Sequence, residues 1–162
     1  MIRLVFKNNF FSLRGSSQVK DENGQPRFVV QGKVLSWGRK KSVQTLDGKE
    51  LYVVINKVFT LFFGKCYIRD PQGNVVAFVR RRLKFFGDRF TVESPDGDLE
   101  VKGDIINREY EVIKAGKPIG EIKQHLVTLR DGFTLTAYED RDAAFLVALV
   151  TAVDNIYDHE NM

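Results

Sequence analysis

Two clusters of basic residues are the part of this sequence whose side chains suggest a chemical role. One lies at 80–84 in a predicted strand, and the other lies at 39–41 just after a turn at Gly38. Guanidinium and ammonium groups near a charged membrane contribute about 1 kcal/mol each to the binding of anionic headgroups. The sequence therefore predicts an anion- or lipid-binding face. Its members are Arg39, Lys40, Lys41, Arg80, Arg82 and Lys84.

Alternation along a strand decides which of these side chains act together. With a period of two, Arg80, Arg82 and Lys84 project to one side of the strand and Arg81 to the other. A charged strand face also has a purely structural explanation, because it discourages edge-to-edge aggregation. Bases of single-stranded nucleic acid could stack on the neighbouring Phe pair at 85–86. The same pair recurs at 10–11 and 62–63, which indicates a repeated core position, so we expect no nucleic-acid partner.

Residues suited to catalysis or metal binding are few. The chain has two histidines, His125 and His159, and one cysteine, Cys66, and none of them has zinc-site spacing or a Gly-x-Ser-x-Gly motif beside it. Asp96, Asp98 and Glu100 bring carboxylates together, but they lack the residue order of a calcium loop and read as a hairpin turn. No glycine-rich phosphate loop is present. We therefore predict no catalytic residues, no metal and no cofactor.

Composition limits the class of protein. Of 162 residues, 43% are hydrophobic and 28% charged, which is ordinary for a globular domain and excludes a disordered chain. The formal charge of +4 permits an anionic partner without requiring one. A single cysteine excludes an intrachain disulfide and fits a reducing compartment. The first residues lack a signal peptide's apolar stretch, and the run 143–150 is shorter than the roughly 20 residues that span a bilayer. The expected location is cytoplasmic, at most peripheral to a membrane.

An internal repeat predicts the elements that carry these residues. Turn signals recur at Gly24, Gly48, Gly73, Gly97 and Gly116, spaced by 24, 25, 24 and 19 residues. A second series lies between them, at Gly15, Gly38, Gly64, Gly87 and Gly132, with Asn107 where a glycine is missing. The six units that begin near residues 2, 29, 53, 78, 101 and 121 each read as two strands, giving about 12 strands. Closing such a sheet removes its exposed edges, so a barrel is the expected form.

The C-terminal segment breaks the repeat and predicts a helix over about 142–157. It contains alanines and no glycine or proline, and Asp140 or Asp142 is suited to cap its N-terminus. Because it is apolar all round, it must be buried on every side. About 17 residues make a helix of roughly 25 Å. A 12-stranded barrel is too wide for its own side chains to fill, so we predict one domain over 1–162, with a barrel at about 2–139 around this helix.

The ordered set of repeat units resembles the LURP-one-related, YxjI-like family of the Tubby C-terminal-like superfamily. The resemblance rests on the segments 11–13, 59–65, 83–90 and 104–112 and on the terminal helix followed by Asp158-His159-Glu160. It implies a 12-stranded antiparallel barrel around a hydrophobic C-terminal helix. It also implies kinship with the phosphoinositide-binding Tubby domain and with phospholipid scramblases. It assigns no ligand residues to positions of this chain.

Together these observations predict a non-enzymatic binding or adaptor domain that contacts anionic phospholipid through its basic face. A protein–protein scaffold with no lipid role is the first alternative, in which the partner is another protein. An enzyme with a pocket at the mouth of the barrel ranks last. The oligomeric state and the ligand itself do not follow from the sequence.

Overall fold

Twelve strands follow one another before a single helix. In a computed structural model, the structure describes residues 1–7, 15–33, 40–56, 65–82, 89–104, 109–125 and 132–160. The strands are β1 (Ile2–Lys7), β2 (Ser16–Asp21), β3 (Pro26–Lys33), β4 (Lys40–Gln44), β5 (Glu50–Asn56), β6 (Lys65–Arg69), β7 (Val75–Arg82), β8 (Arg89–Glu93), β9 (Leu99–Asp104), β10 (Glu109–Lys114), β11 (Lys117–His125) and β12 (Gly132–Ala137). The helix, α1, spans Asp140–Glu160.

The strands form one antiparallel sheet that curls into a nearly closed barrel. Its order is β8-β7-β6-β5-β4-β3-β2-β1-β12-β11-β10-β9, so the first and last strands of the chain pair along their full length. Strands β8 and β9 stand at the two ends of this order. They contact each other, but no backbone ladder joins them in the part of the chain that is described. The predicted barrel of about 12 strands is confirmed, with this one gap in its wall.

Glycine turns define one end of the barrel. Gly24, Gly48, Gly73 and Gly97 have φ between 71° and 90°, a conformation that L side chains rarely adopt. They connect β2 to β3, β4 to β5, β6 to β7 and β8 to β9, and α1 begins at the same end. We call this the turn end. The opposite end, where β1, β3, β5, β7, β9 and β11 finish, is called the loop end. Of the second glycine series, Gly38, Gly64, Gly87 and Asn107 lie outside the described residues.

Helix α1 runs through the lumen, as the sequence predicts. It begins at Asp140, two residues before the predicted start, so Asp140 and Asp142 lie in its first turn, where carboxylates interact favourably with the helix dipole. The side chains from Phe145 to Ala152 are all buried. At Gly120 of β11 the helix approaches the wall so closely that an added Cβ would lie 2.6 Å from Leu146 Cδ1. Among the described residues, no helix is long and apolar enough to cross a membrane.

Candidate functional site

Lysine and arginine occupy most of the strand termini at the loop end. From β1 to β8, six of the eight terminal residues at this end are basic and none is acidic. Over all twelve strands, the termini at the loop end include six basic and two acidic residues, whereas those at the turn end include three of each. We call the six basic termini at the loop end the cationic rim. Its members are Lys7, Lys33, Lys40, Lys65, Arg82 and Arg89.

The two strands beyond the cationic rim carry the opposite charge. Strand β9 ends at Asp104 and β10 begins at Glu109, and these residues are opposite each other in the β9–β10 register. Glu109 also lies 3.0 Å from the amine of Lys123. The loop end is therefore polarised, with cations along β1 to β8 and carboxylates at β9 and β10.

The register of the sheet sets basic residues directly opposite one another. Lys33 pairs with Lys40, and Arg82 pairs with Arg89. A third pair joins Lys65 to Arg80. Like charges at directly opposed positions destabilise a sheet. An anion that bridges such a pair removes that repulsion, so this end of the barrel is suited to binding negative charge.

The structure divides the six basic residues that the sequence singled out. Lys40 and Arg82 lie at strand termini in the cationic rim. Arg80 lies two residues inside β7, with its side chain 40% exposed and its Nη2 atom 3.8 Å from Glu93 Oε2. An exposed ion pair of this kind contributes little to stability. Arg39 and Lys84 lie outside the described residues.

Lys41 does not share the surface that the sequence predicted for it. Its side chain is 4% exposed, and its Nζ atom lies 3.9 Å from Asp154 Oδ2 on α1. The cause is alternation along β4. Lys41 lies on the same face of the strand as the fully buried Val43, two residues later, and so points into the lumen. Ser42, between them, is covered from outside by Glu50, whose Oε2 atom accepts a 2.8 Å hydrogen bond. Lys40 and Lys41 are thus divided between the rim and the interior.

Polar groups surround this ion pair just below the cationic rim. Asn56 donates from Nδ2 to the backbone carbonyl of Asn155, at 3.2 Å. The Cys66 thiol donates to Asn56 Oδ1 and lies 3.4 Å from the carbonyl oxygen of Ala152. No described residue accepts a hydrogen bond from Nδ2 of Asn155. We call this group the lumen cluster, and it ties α1 to β4, β5 and β6. It consists of Lys41, Asn56, Cys66, Asp154 and Asn155.

Cys66 lies in a setting that opposes thiolate formation. Burial raises the pKa of its thiol above the ordinary value, and the nearby charge of Lys41 offsets only part of that effect. Because the thiolate is the nucleophile, a buried thiol with a raised pKa is inert. The contacts of Cys66 with Asn56 and the helix assign it a structural position.

We expect Cys66 to resist alkylation in the native protein. At pH 8, iodoacetamide should modify it at least tenfold more slowly than the thiol of glutathione, and unfolding in urea should restore the ordinary rate. Mass spectrometry of the reaction over time measures both rates. Native modification as fast as that of glutathione would show that the thiol is accessible and ionised.

The remaining candidates for chemistry lie apart. His125 ends β11 as an exposed residue, and its Nε2 atom lies 2.9 Å from Thr134 Oγ1. Asp96 and Asp98 belong to the turn between β8 and β9, where Ser94 hydrogen-bonds to Asp98. The described residues contain no group of three His, Cys, Asp or Glu side chains that could hold a metal ion. The side chain of His159 lies outside the described part of the chain.

Sequence reasoning missed four members of the cationic rim. Lys7, Lys33, Lys65 and Arg89 each have no basic neighbour in the sequence, so no local density of charge marks them. Their shared signal is position, because each borders a connection that belongs to the second glycine series. A search for basic residues at the strand ends next to Gly15, Gly38, Gly64 and Gly87 would have found all four.

The architecture places the protein among twelve-stranded antiparallel barrels that enclose a C-terminal helix. The chain belongs to the LURP-one-related family, whose model matches residues 2–154. A crystal structure of a protein from Arabidopsis thaliana is similar in fold, with a TM-score of 0.60 and 18% identity over 96% of this chain and 91% of that one. No curated protein matches the chain.

Proposed function

We propose that this protein is a non-enzymatic binding domain that contacts anionic phospholipid headgroups through the cationic rim. The observation that carries the proposal is the register of the sheet, which opposes Lys33 to Lys40, Lys65 to Arg80 and Arg82 to Arg89. Opposed like charges weaken the free barrel, although Glu93, 3.8 Å from Arg80, offsets part of the repulsion in the Lys65–Arg80 pair. Three such pairs lie at or near the loop end, against one, Lys114 opposite Lys117, at the turn end. This bias supports a role of the loop end in binding negative charge.

The spread of the charges favours a surface over a small anion. The basic termini are distributed over six of eight consecutive strands of the sheet. An array of separate cations around the end of a barrel matches a layer of headgroups, to which each basic residue near the surface adds about 1 kcal/mol. The carboxylates at β9 and β10 lie at one side of the array and would tilt the barrel away from the membrane there.

Vesicle sedimentation tests the proposal. The protein should pellet with vesicles that contain phosphatidylserine or phosphoinositide at low salt and should remain in the supernatant with phosphatidylcholine alone. Raising the ionic strength to 1 M shortens the screening length to about 3 Å, so binding should fall at least tenfold. Absence of binding to either anionic vesicle at low salt would overturn the proposal and leave the protein-scaffold alternative, which a pull-down for a stoichiometric partner would then test.

A matched pair of charge reversals locates the contact. The rim variant Lys40→Glu/Lys65→Glu places a carboxylate opposite Lys33 and Arg80, so the sheet loses repulsion instead of stability. The control Arg69→Glu/Lys117→Glu makes the same change in net charge at two exposed positions of the turn end. The rim variant should lose at least tenfold in vesicle affinity and the control less than threefold. Equal losses in both would show that net charge, and not the rim, governs binding.

A further inference from the structure

An apolar cavity lies beside the cationic rim, between the C-terminal half of α1 and the barrel wall. Its volume is about 30 Å³. Leu149, Val150 and Val153 line it on the helix, while Val92 of β8 and Val101 of β9 line it on the wall. Because these two strands stand at the open ends of the ladder, the cavity lies behind the gap in the barrel.

The lining of the cavity disfavours water. Its volume exceeds the roughly 10–15 Å³ that one water molecule needs, but a buried water also needs two to four polar partners. Seven of the nine lining residues described are aliphatic or Phe, and Tyr110 and Gln124 are the others. The ring of Tyr110 lies over Gly103, where a Cβ would collide with it. An apolar ligand is therefore favoured over water in this space.

The cavity and the cationic rim lie within the reach of one amphiphile. Arg89, in the cationic rim, begins β8 three residues before Val92, and at about 3.3 Å per residue that separates the two by roughly 10 Å along the strand. Arg82 stands directly opposite Arg89 in the neighbouring strand. Arg89 thus lies at the loop end of the edge strand that carries Val92, and Arg82 lies beside it at the end of β7.

We propose that this cavity takes the end of the acyl chain of an anionic single-chain lipid whose headgroup binds at Arg82 and Arg89. The inference rests on the proposed function, because it uses the same rim, and it adds a specific ligand site to a general surface contact. The gap between β8 and β9 gives the chain its entry, since no backbone ladder among the described residues has to break there. Burying part of the chain removes apolar surface from water, which favours binding.

Monomeric lysophosphatidic acid is the probe, used below its micelle concentration in calorimetric titrations. It should bind to the wild-type protein at least tenfold more tightly than glycerol 3-phosphate, which carries the headgroup alone, and than lysophosphatidylcholine, which carries a chain without net charge. Equal binding of glycerol 3-phosphate would show that free phosphate chemistry accounts for the contact and would overturn the role of the cavity.

A cavity-filling variant separates this proposal from the vesicle contact. Val101→Phe places a larger side chain in the cavity and should weaken lysophosphatidic acid binding at least tenfold while vesicle sedimentation stays within twofold. Val5→Phe, the same substitution at an exposed position of β1, should change neither. Unchanged lysophosphatidic acid affinity in a folded Val101→Phe protein would overturn the inference and leave the rim proposal standing. If vesicles fail to bind but the cavity takes the probe, the proposed function fails alone.

Nitroxide-labelled lysophosphatidic acid gives a second test in the wild-type protein, so the inference does not depend on the folding of a variant. With the label near the end of the chain, the methyl resonances of Val101 and Val153 should broaden more than those of Val5. Equal broadening at all three positions would show that the chain does not enter the cavity.

Discussion

Replacing Leu146 by Asp, or ending the chain at residue 141, should leave the protein unfolded and insoluble. Leu146 is fully buried in the middle of α1, and its neighbours from Phe145 to Ala152 are buried with it. Burying an unpaired carboxylate in that position costs more free energy than its apolar surroundings can offset. Removal of the helix empties the lumen, and each lost core side chain costs about 2–5 kcal/mol against a total stability of about 5–15 kcal/mol.

Soluble yield and the thermal transition by circular dichroism measure this effect. The control is Leu46→Asp, the same change at an exposed turn residue, which should keep the wild-type transition within a few degrees. A soluble 1–141 fragment with native strand content and a cooperative transition would show that the barrel folds without the helix.

Breaking the buried ion pair should cost about 3–5 kcal/mol, and removing both partners should recover most of that loss. Lys41→Met removes a cation that faces Asp154, and Asp154→Leu removes a carboxylate that faces Lys41, so either variant takes an opposite charge away from a largely buried group. The double variant replaces both residues by apolar side chains, so that neither buried charge remains. Lys41→Asp should be worse than Lys41→Met, because it sets a second carboxylate near Asp154.

Urea unfolding of the two single variants and the double variant gives the coupling energy. Lys40→Met is the matched control, since Lys40 is the neighbouring residue and lies outside the lumen, and it should stay within about 0.5 kcal/mol of the wild type. Additive effects of Lys41→Met and Asp154→Leu would show that the two side chains do not interact. Sequence reasoning alone ranks Lys41→Asp as far milder than Leu146→Asp, and the burial of Lys41 raises the expected cost of Lys41→Asp.

The architecture followed from the sequence because its signals repeat. Five glycine turns at similar spacing fix the hairpins, since only a positive φ closes them. The all-apolar stretch from Ala143 to Val150 must be buried on every side, and the inside of a wide barrel provides that burial. The turn pattern is local, and it recurs in several repeat units, so each unit supports the same prediction. One unit differs in a way that the sequence does not show, because the turn at Gly97 matches the others while its strands, β8 and β9, form no ladder.

The residues of the candidate site were only partly predictable, for a physical reason that Lys41 illustrates. Alternation shows that neighbouring side chains point to opposite faces of a strand, but it does not show which face is the lumen. The sequence therefore could not tell whether Lys40 or Lys41 is the buried one. The register that opposes Lys33 to Lys40 is equally hidden, because it depends on where two strands begin and end. The local density of charge in the sequence marked the residues near Arg80. Isolated basic residues such as Lys65 have no such mark, because only the fold brings them to the same end of the barrel.

Acetylation of lysines on anionic vesicles tests the central claim that the loop end is the binding end. The protein is treated with an amine-reactive acetyl ester on phosphatidylserine vesicles and on phosphatidylcholine vesicles, and each site is quantified by mass spectrometry. Lys40 and Lys65 should be modified at least threefold more slowly on the anionic vesicles, while the exposed Lys114 and Lys117 of the turn end should react equally on both. Protection of Lys114 and Lys117 with no change at Lys40 and Lys65 would contradict the account.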